Sequence, residues 1–329
     1  MVQHTEKTIK KVIEQLQKHP DAIVRWKVTK DLIGCDPVTP EYQTAKQAIT
    51  TSMIVQKLLS DRNSDGQLPY HPYNKWFGAH WILYILADLD YPEGDEKLKP
   101  MLEQCYSWLL SPNHAKHIKE VNGRVRRCAS QEGNCVYYSL ALGIADERTE
   151  ELAARLIRWQ WEDGGWNCDK KPEATKSSFH ESLIPLRALS LYTHQTGNPK
   201  ARQAAERAAD IFLKRRLFKR LSDGKIINAS FVQLHYPGYW HYDILFGLKV
   251  MCETGFINDP RCSEALNLLE SKQLADGGFP AEARYYRVDE KKLSGHSHVD
   301  WGGTSKKHMN PFVTIDAFSV LKQAGRLIY

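Results

Sequence analysis

No run in the sequence approaches 18 apolar residues, so a membrane-spanning helix is not expected. The opening stretch MVQHTEKTIKKVIEQL lacks the apolar core of a secretory signal, and a cytoplasmic protein is the expectation. Peripheral contact with a membrane is left open. Strand signals are scarce throughout. Neither sign of charge dominates: 45 Lys and Arg against 39 Asp and Glu leave a net charge of +6. The densest basic runs, RVRR (Arg124 to Arg127) and KRRLFKR (Lys214 to Arg220), are short. They argue against a nucleic-acid partner and suit small anionic groups better. Seven cysteines, at 35, 105, 128, 135, 168, 252 and 262, are odd in number and irregular in spacing. A disulfide framework is therefore not expected; buried thiols or metal ligands are. Nothing indicates a nucleotide or organic cofactor.

What the sequence has in abundance is helical periodicity. Its 329 residues are 42% hydrophobic and 26% charged, ordinary values for a globular protein with a sizeable core. EELAARLIRWQW (151–162) and DPRCSEALNLLESKQL (259–274) place apolar residues at i, i+3, i+4 and i+7. The second opens with Asp259-Pro260, an N-cap followed by proline at the first helical position.

The punctuation repeats. SDGQLPY (64–70), EDGGWNCD (162–169), SDGKIIN (222–228) and ADGGFPAE (275–282) are similar turns, and VNGRVRRC (121–128) falls in the widest gap between them. A period of roughly 50 to 60 residues fits two helices and a loop. Strongly apolar helices lie between the turns: 76–89, 134–144, 180–192, 240–255 and 310–325. Each is followed by a more amphipathic one. Apolar on most faces means buried on most faces, so two concentric layers are expected. The expected fold is all-α, a toroid of about five to six helix pairs. In a closed toroid the starts of the inner helices converge on one mouth.

The segments RWQWEDGGW and SKQLADGGFP resemble the Gln-x-x-x-Gly-x-Trp repeats of squalene–hopene cyclases and protein prenyltransferase β-subunits. That resemblance implies an (α/α) barrel over residues 61–329, with residues 1–60 as an N-terminal helical extension. In physical terms Gly164 and Gly165 allow positive φ at a helix end, Trp166 covers the turn, and Gln160 bonds exposed backbone groups. The Asp-x-Asp-Asp acid of the cyclases is missing, as is the Asp-Asp-x-x-Asp of ionisation-initiated cyclases. Prenyltransferases hold zinc through Asp-x-Cys and a later histidine. Cys135 and His180 match the cysteine and histidine, but Gly133 stands where the aspartate belongs.

The repeat scheme brings other donors to the same mouth. Cys128, Cys168 and His180 form a candidate Cys₂His zinc set with an open fourth position, and His241 is a further candidate ligand. Buried thiols and a hydrogen-bonded helix-start histidine are the plainer alternative. Asp169, Glu181, Asp243 and Asp300 are candidate acid–base groups, against the alternative of N-caps that suit the helix dipole. Trp76, Trp81, Trp166, Tyr239, Trp240, Tyr242 and Trp301 are candidates for an aromatic substrate wall, or for core filler. Three functions follow. The first is a cyclase- or prenyltransferase-like enzyme on an isoprenoid or similar apolar substrate, with zinc as candidate cofactor. The second is a non-catalytic lipid- or peptide-binding toroid. The third is a carbohydrate-active toroid enzyme.

Overall fold

The computed structural model describes residues 6–327. Its helices are α1 (Glu6–Gln17), α2 (Ala22–Lys27), α3 (Pro40–Gln47), α4 (Met53–Leu59), α5 (Ala79–Asp88), α6 (Lys99–Leu109), α7 (Pro112–Ala115) and α8 (Ala129–Ala141). They continue with α9 (Glu147–Trp159), α10 (Phe179–Thr196), α11 (Pro199–Lys214), α12 (Ile244–Glu253), α13 (Ser263–Glu270) and α14 (Pro311–Gln323). The fold is all-α in class. Two pairs of very short strands are the exception. β1 (Lys119–Val121) and β2 (Arg124–Arg126) form an antiparallel hairpin, and β3 (Arg287–Val288) lies parallel to β4 (His296–Ser297). No described helix is long and apolar enough to cross a membrane.

The apolar helices α5, α8, α10, α12 and α14 pack side by side in chain order, and α6, α9, α11 and α13 cover them from outside. Every residue of α5 is buried, as an inner helix requires, whereas α9 buries one stripe: Thr149, Leu152, Ala153, Leu156 and Trp159. Within residues 1–60, α2 and the π turn that extends it (Val28–Ile33) pack on α14. Lys27 there reaches Asp88 at the end of α5, donating to its carbonyl at 3.4 Å, and pairs with Asp316 of α14 at 3.7 Å. The ring thus closes through this segment.

The repeated turns do what their residues predict. Gly164 has φ 101°, and a Cβ there would lie 2.6 Å from the Arg207 carbonyl oxygen. The Gln160 amide donates to the carbonyls of Gly164 (2.8 Å) and Ala204 (2.7 Å), and Gln273 donates to Gly277 (2.6 Å) in the equivalent turn. Each glutamine ties a turn whose backbone groups lack helical partners.

Candidate active site at the ring mouth

Cys128 and Cys168 are 40 positions apart in sequence, and a parallel backbone bridge makes them neighbours. Arg126 at the end of β2 bridges Asn167, and the Arg127 N–H donates to the Asn167 carbonyl at 3.3 Å. Cys168 follows Asn167 directly and Cys128 follows Arg127, so the bridge carries both cysteines to the mouth. Arg126 anchors this bridge: its guanidinium is buried, donates to the Ala174 carbonyl at 2.7 Å and lies 4.5 Å from the Trp161 ring. Glu181 enters from the first turn of α10 and accepts the Ser130 N–H at 3.0 Å. The Cys168 thiol lies 3.6 Å from its other oxygen. One ligand atom from each of Cys128, Cys168 and Glu181 falls within 4.8 Å of the other two.

The electrostatics of this trio are strained. Cys128 donates to Cys168, which pushes the Cys128 thiol up and the Cys168 thiol down. Burial raises Glu181, against the opposing Ser130 N–H. Three acidic groups in one half-buried corner disfavour one another as anions, and a cation between them would relieve that.

Around the trio stands a ring of aromatics and imidazoles. His180 meets the edges of Phe231 and Trp240, both at 5.4 Å between centroids. His241 is sandwiched between Trp240 (4.1 Å) and Tyr285 (3.7 Å). Burial, then the charge of His235, lowers His180 to about 4. Burial, then His235, His180 and Lys75, lowers His241 to about 2. Both imidazoles are therefore neutral at pH 7 and accept hydrogen bonds. Lys75 lies 4.8 Å from the Trp240 ring, with its own affinity for a proton lowered by burial. Burial also lifts the Tyr73 phenol to about 12. Behind Cys128, Arg127 donates to the fully buried Glu132 at 3.0 Å, and His114 contacts the same oxygen at 3.2 Å.

The candidate residues are thus sorted by place. Cys128 and Cys168 come together, and the carboxylate Glu181 completes their group. Neither His180 nor His241 joins it; both line the adjacent wall. Helix geometry explains this, because consecutive residues point about 100° apart and Glu181 takes the inward direction. Cys135 is buried beside Cys105 and Tyr138, away from the mouth, with its thiol pushed up by burial. Gly133 has no room for an aspartate: a Cβ there would lie 3.0 Å from the Pro185 nitrogen of α10.

Asp243 caps α12, accepting from Phe246 and His235 backbone N–H groups at 2.8 Å each, with the His235 ring 2.6 Å away. Asp169 and Asp300 are exposed turn residues that accept backbone N–H groups from Lys171 and Gly302. Of the seven aromatics, six are core. Trp76 stacks on Tyr239 at 3.9 Å, while Trp81, Trp166 and Tyr242 donate to the carbonyls of Tyr73, Leu156 and Leu217. Trp301 packs between Tyr236 and Phe312. Only Trp240 among them is partly exposed, beside the mouth. Lys75, Tyr73, His235 and Tyr285 carried no repeat signal; their place depends on loops between the helices.

No protein-family model and no curated protein matches the chain. Among solved structures it is similar to an unsaturated glucuronyl hydrolase from Bacillus sp. GL1, responsible for the degradation of glycosaminoglycan. The two share 13% identity over 92% of this chain and 84% of that one, with a TM-score of 0.44. A second similar structure, designated UGL with dGlcA-Glc-Rha-Glc, has 12% identity, the same coverage and a TM-score of 0.44. No family model supports the prenyltransferase and cyclase resemblance. The expected isoprenoid substrate is corrected as well. Six of the seven rings expected to form an apolar wall are spent in the core.

Proposed function

We propose that this chain is a metal-assisted hydrolase whose centre is the Cys128, Cys168 and Glu181 group, acting on a polar substrate of the carbohydrate class. The observation that carries the reading is the approach of two thiols and a carboxylate within 4.8 Å, from three separate segments, at the mouth of the ring. Soft sulfur donors select zinc over calcium or magnesium. Zinc held by three protein donors keeps a fourth position for water or substrate and acidifies that water. The neutral rings of His180 and His241 stand beside it as hydrogen-bond acceptors. Trp240, partly exposed at the mouth, offers an indole edge to the substrate, with Lys75 as a donor to its hydroxyls. Hydrolysis by a pair of free carboxylates fits less well, because Asp243 is occupied as a helix cap and His235 partner.

The test is metal analysis of protein purified without chelator or affinity tag. About one zinc per chain is expected, and cadmium exchange should give a sulfur-to-metal charge-transfer band. Cys128→Ser, Cys168→Ser and Glu181→Gln should each lose metal, whereas His180→Ala should keep it. Zinc-dependent hydrolysis of uronic-acid oligosaccharides would then establish the substrate class. Metal-free protein whose two thiols oxidise together in air would make the site a redox dithiol and overturn this reading.

A further inference from the structure

The basic run at 214–220 is divided by the fold into two halves with different surroundings. Arg216 and Lys219 turn to α13, where both pair with Glu264, Arg216 at 2.9 Å. Arg215 and Arg220 instead border a cavity of about 360 Å³ beside the mouth, joined from the other side by Lys176. Lys176 and Arg215 have no ion pair among the described residues. Arg215 spends one N–H on the Ile211 carbonyl at 3.1 Å, and Arg220 spends its Nε–H on the Ile226 carbonyl at 3.4 Å and has Asp223 at 3.6 Å. Asp163 accepts the backbone N–H and hydroxyl of Ser177, a residue of the cavity wall. Three cations therefore border this cavity with Asp223 paired to one of them, whereas Arg216 and Lys219 are both committed to Glu264.

Beneath the cations the cavity is apolar. Phe179 and Phe231 stack at 5.2 Å and, with Ile227, form its floor. His180 lines both this cavity and the mouth. We propose that the cavity binds a small organic anion, a carboxylate or phosphate monoester carried on an apolar body. The guanidinium groups of Arg215 and Arg220 would take the anion in the forked geometry that suits both head groups. The floor would take the body. The binding site stands apart from the metal centre and does not require it.

Calorimetric titration of the full chain, zinc-loaded and zinc-free, tests this. Phenyl phosphate or benzoate should bind in both states, the tighter of the two identifying the head group. Benzyl alcohol should not bind in the same range, and inorganic phosphate should bind more weakly than phenyl phosphate. Arg215→Ala, Arg220→Ala and Lys176→Ala should each weaken the better anion by about tenfold, while Arg216→Ala leaves it unchanged. Binding that appears only with zinc would overturn the proposal by moving the anion to the metal. So would equal loss in Arg216→Ala, equal affinity for benzyl alcohol, or no binding of either anion. None of these outcomes alters the metal stoichiometry, so the two readings fail separately.

Discussion

The two ends of the ring use buried polar groups in opposite ways. At the mouth, where inner helices begin, the donors are neutral or mutually repelling, and several lack partners: the His241 Nδ1, the Trp240 indole N–H and the His235 Nε2 are buried without a hydrogen bond. At the base, where inner helices end, opposite charges interlock. Asp88 takes Arg187 and Lys249 at 3.0 Å each, Lys249 continues to Asp316 at 3.2 Å, and Arg187 forks onto Glu253 at 2.6 Å. Lys27 adds a third cation. A paired ion network fixes geometry because breaking it strands a charge; unsatisfied neutral groups leave capacity for a ligand. One end therefore holds the ring and the other is free to work.

The sharpest test of that division is Asp88→Ala. Arg187 and Asp88 are both nearly fully buried, so the variant strands cations and should lose about 3–5 kcal/mol in urea unfolding. A loss near zero would mean that the base is solvated and the comparison false.

Acid provides the next test. His80, buried at the start of α5, is lowered to about 3, mainly by burial. A group with a depressed folded value contributes stability above its unfolded value of about 6.5 and loses it as pH falls toward 3. Asp88 is held far below the usual carboxylate range by Lys249, Arg187 and Lys27 despite its burial, so its contribution drops out only below about pH 4. Unfolding free energy should thus fall in two stages, the first by more than about 1 kcal/mol. In His80→Phe the first stage should shrink, with His180 and His241 supplying what is left of it, and the second remain.

Smaller effects belong to the mouth and its rim. Cys128→Ser should remove metal yet cost metal-free protein only about 1 kcal/mol or less, measured by thermal unfolding with chelator. Asp300→Asn, in an exposed turn, should change stability by less than about 0.5 kcal/mol and leave metal content intact. A large effect there would relocate the working end of the molecule.

Much of the ring was legible because its signals are local. Gln160 and Gln273 sit four residues before the carbonyls they bind, and Gly164 announces its positive φ by being glycine. The inner helices follow from unbroken apolar stretches. The mouth was only half legible. The convergence of Cys128 and Cys168 follows from the repeat, but the choice of Glu181 over His180 depends on the phase of α10. That phase is set where Gly133 lets α8 approach within contact of Ile184 and Pro185. The base was invisible, since Lys27, Asp88, Arg187, Lys249 and Asp316 stand singly in five elements and no local pattern pairs them. The hairpin of β1 and β2 was read as a turn alone, because its strands are three residues each.

The buried Lys27 has a consequence for synthesis. Its partner Asp316 stands 289 positions later in the chain. At about 5–20 residues per second, a ribosome needs roughly 15–60 s to translate that interval. During that time Lys27 has its helical neighbour Asp31 as ion-pair partner, but the apolar face of α2 lacks its cover from α14. Contacts of such sequence separation also form slowly once the chain is complete. The nascent protein should therefore be a client of chaperones that shield apolar helices, and rare codons placed late in its message would lengthen that dependence.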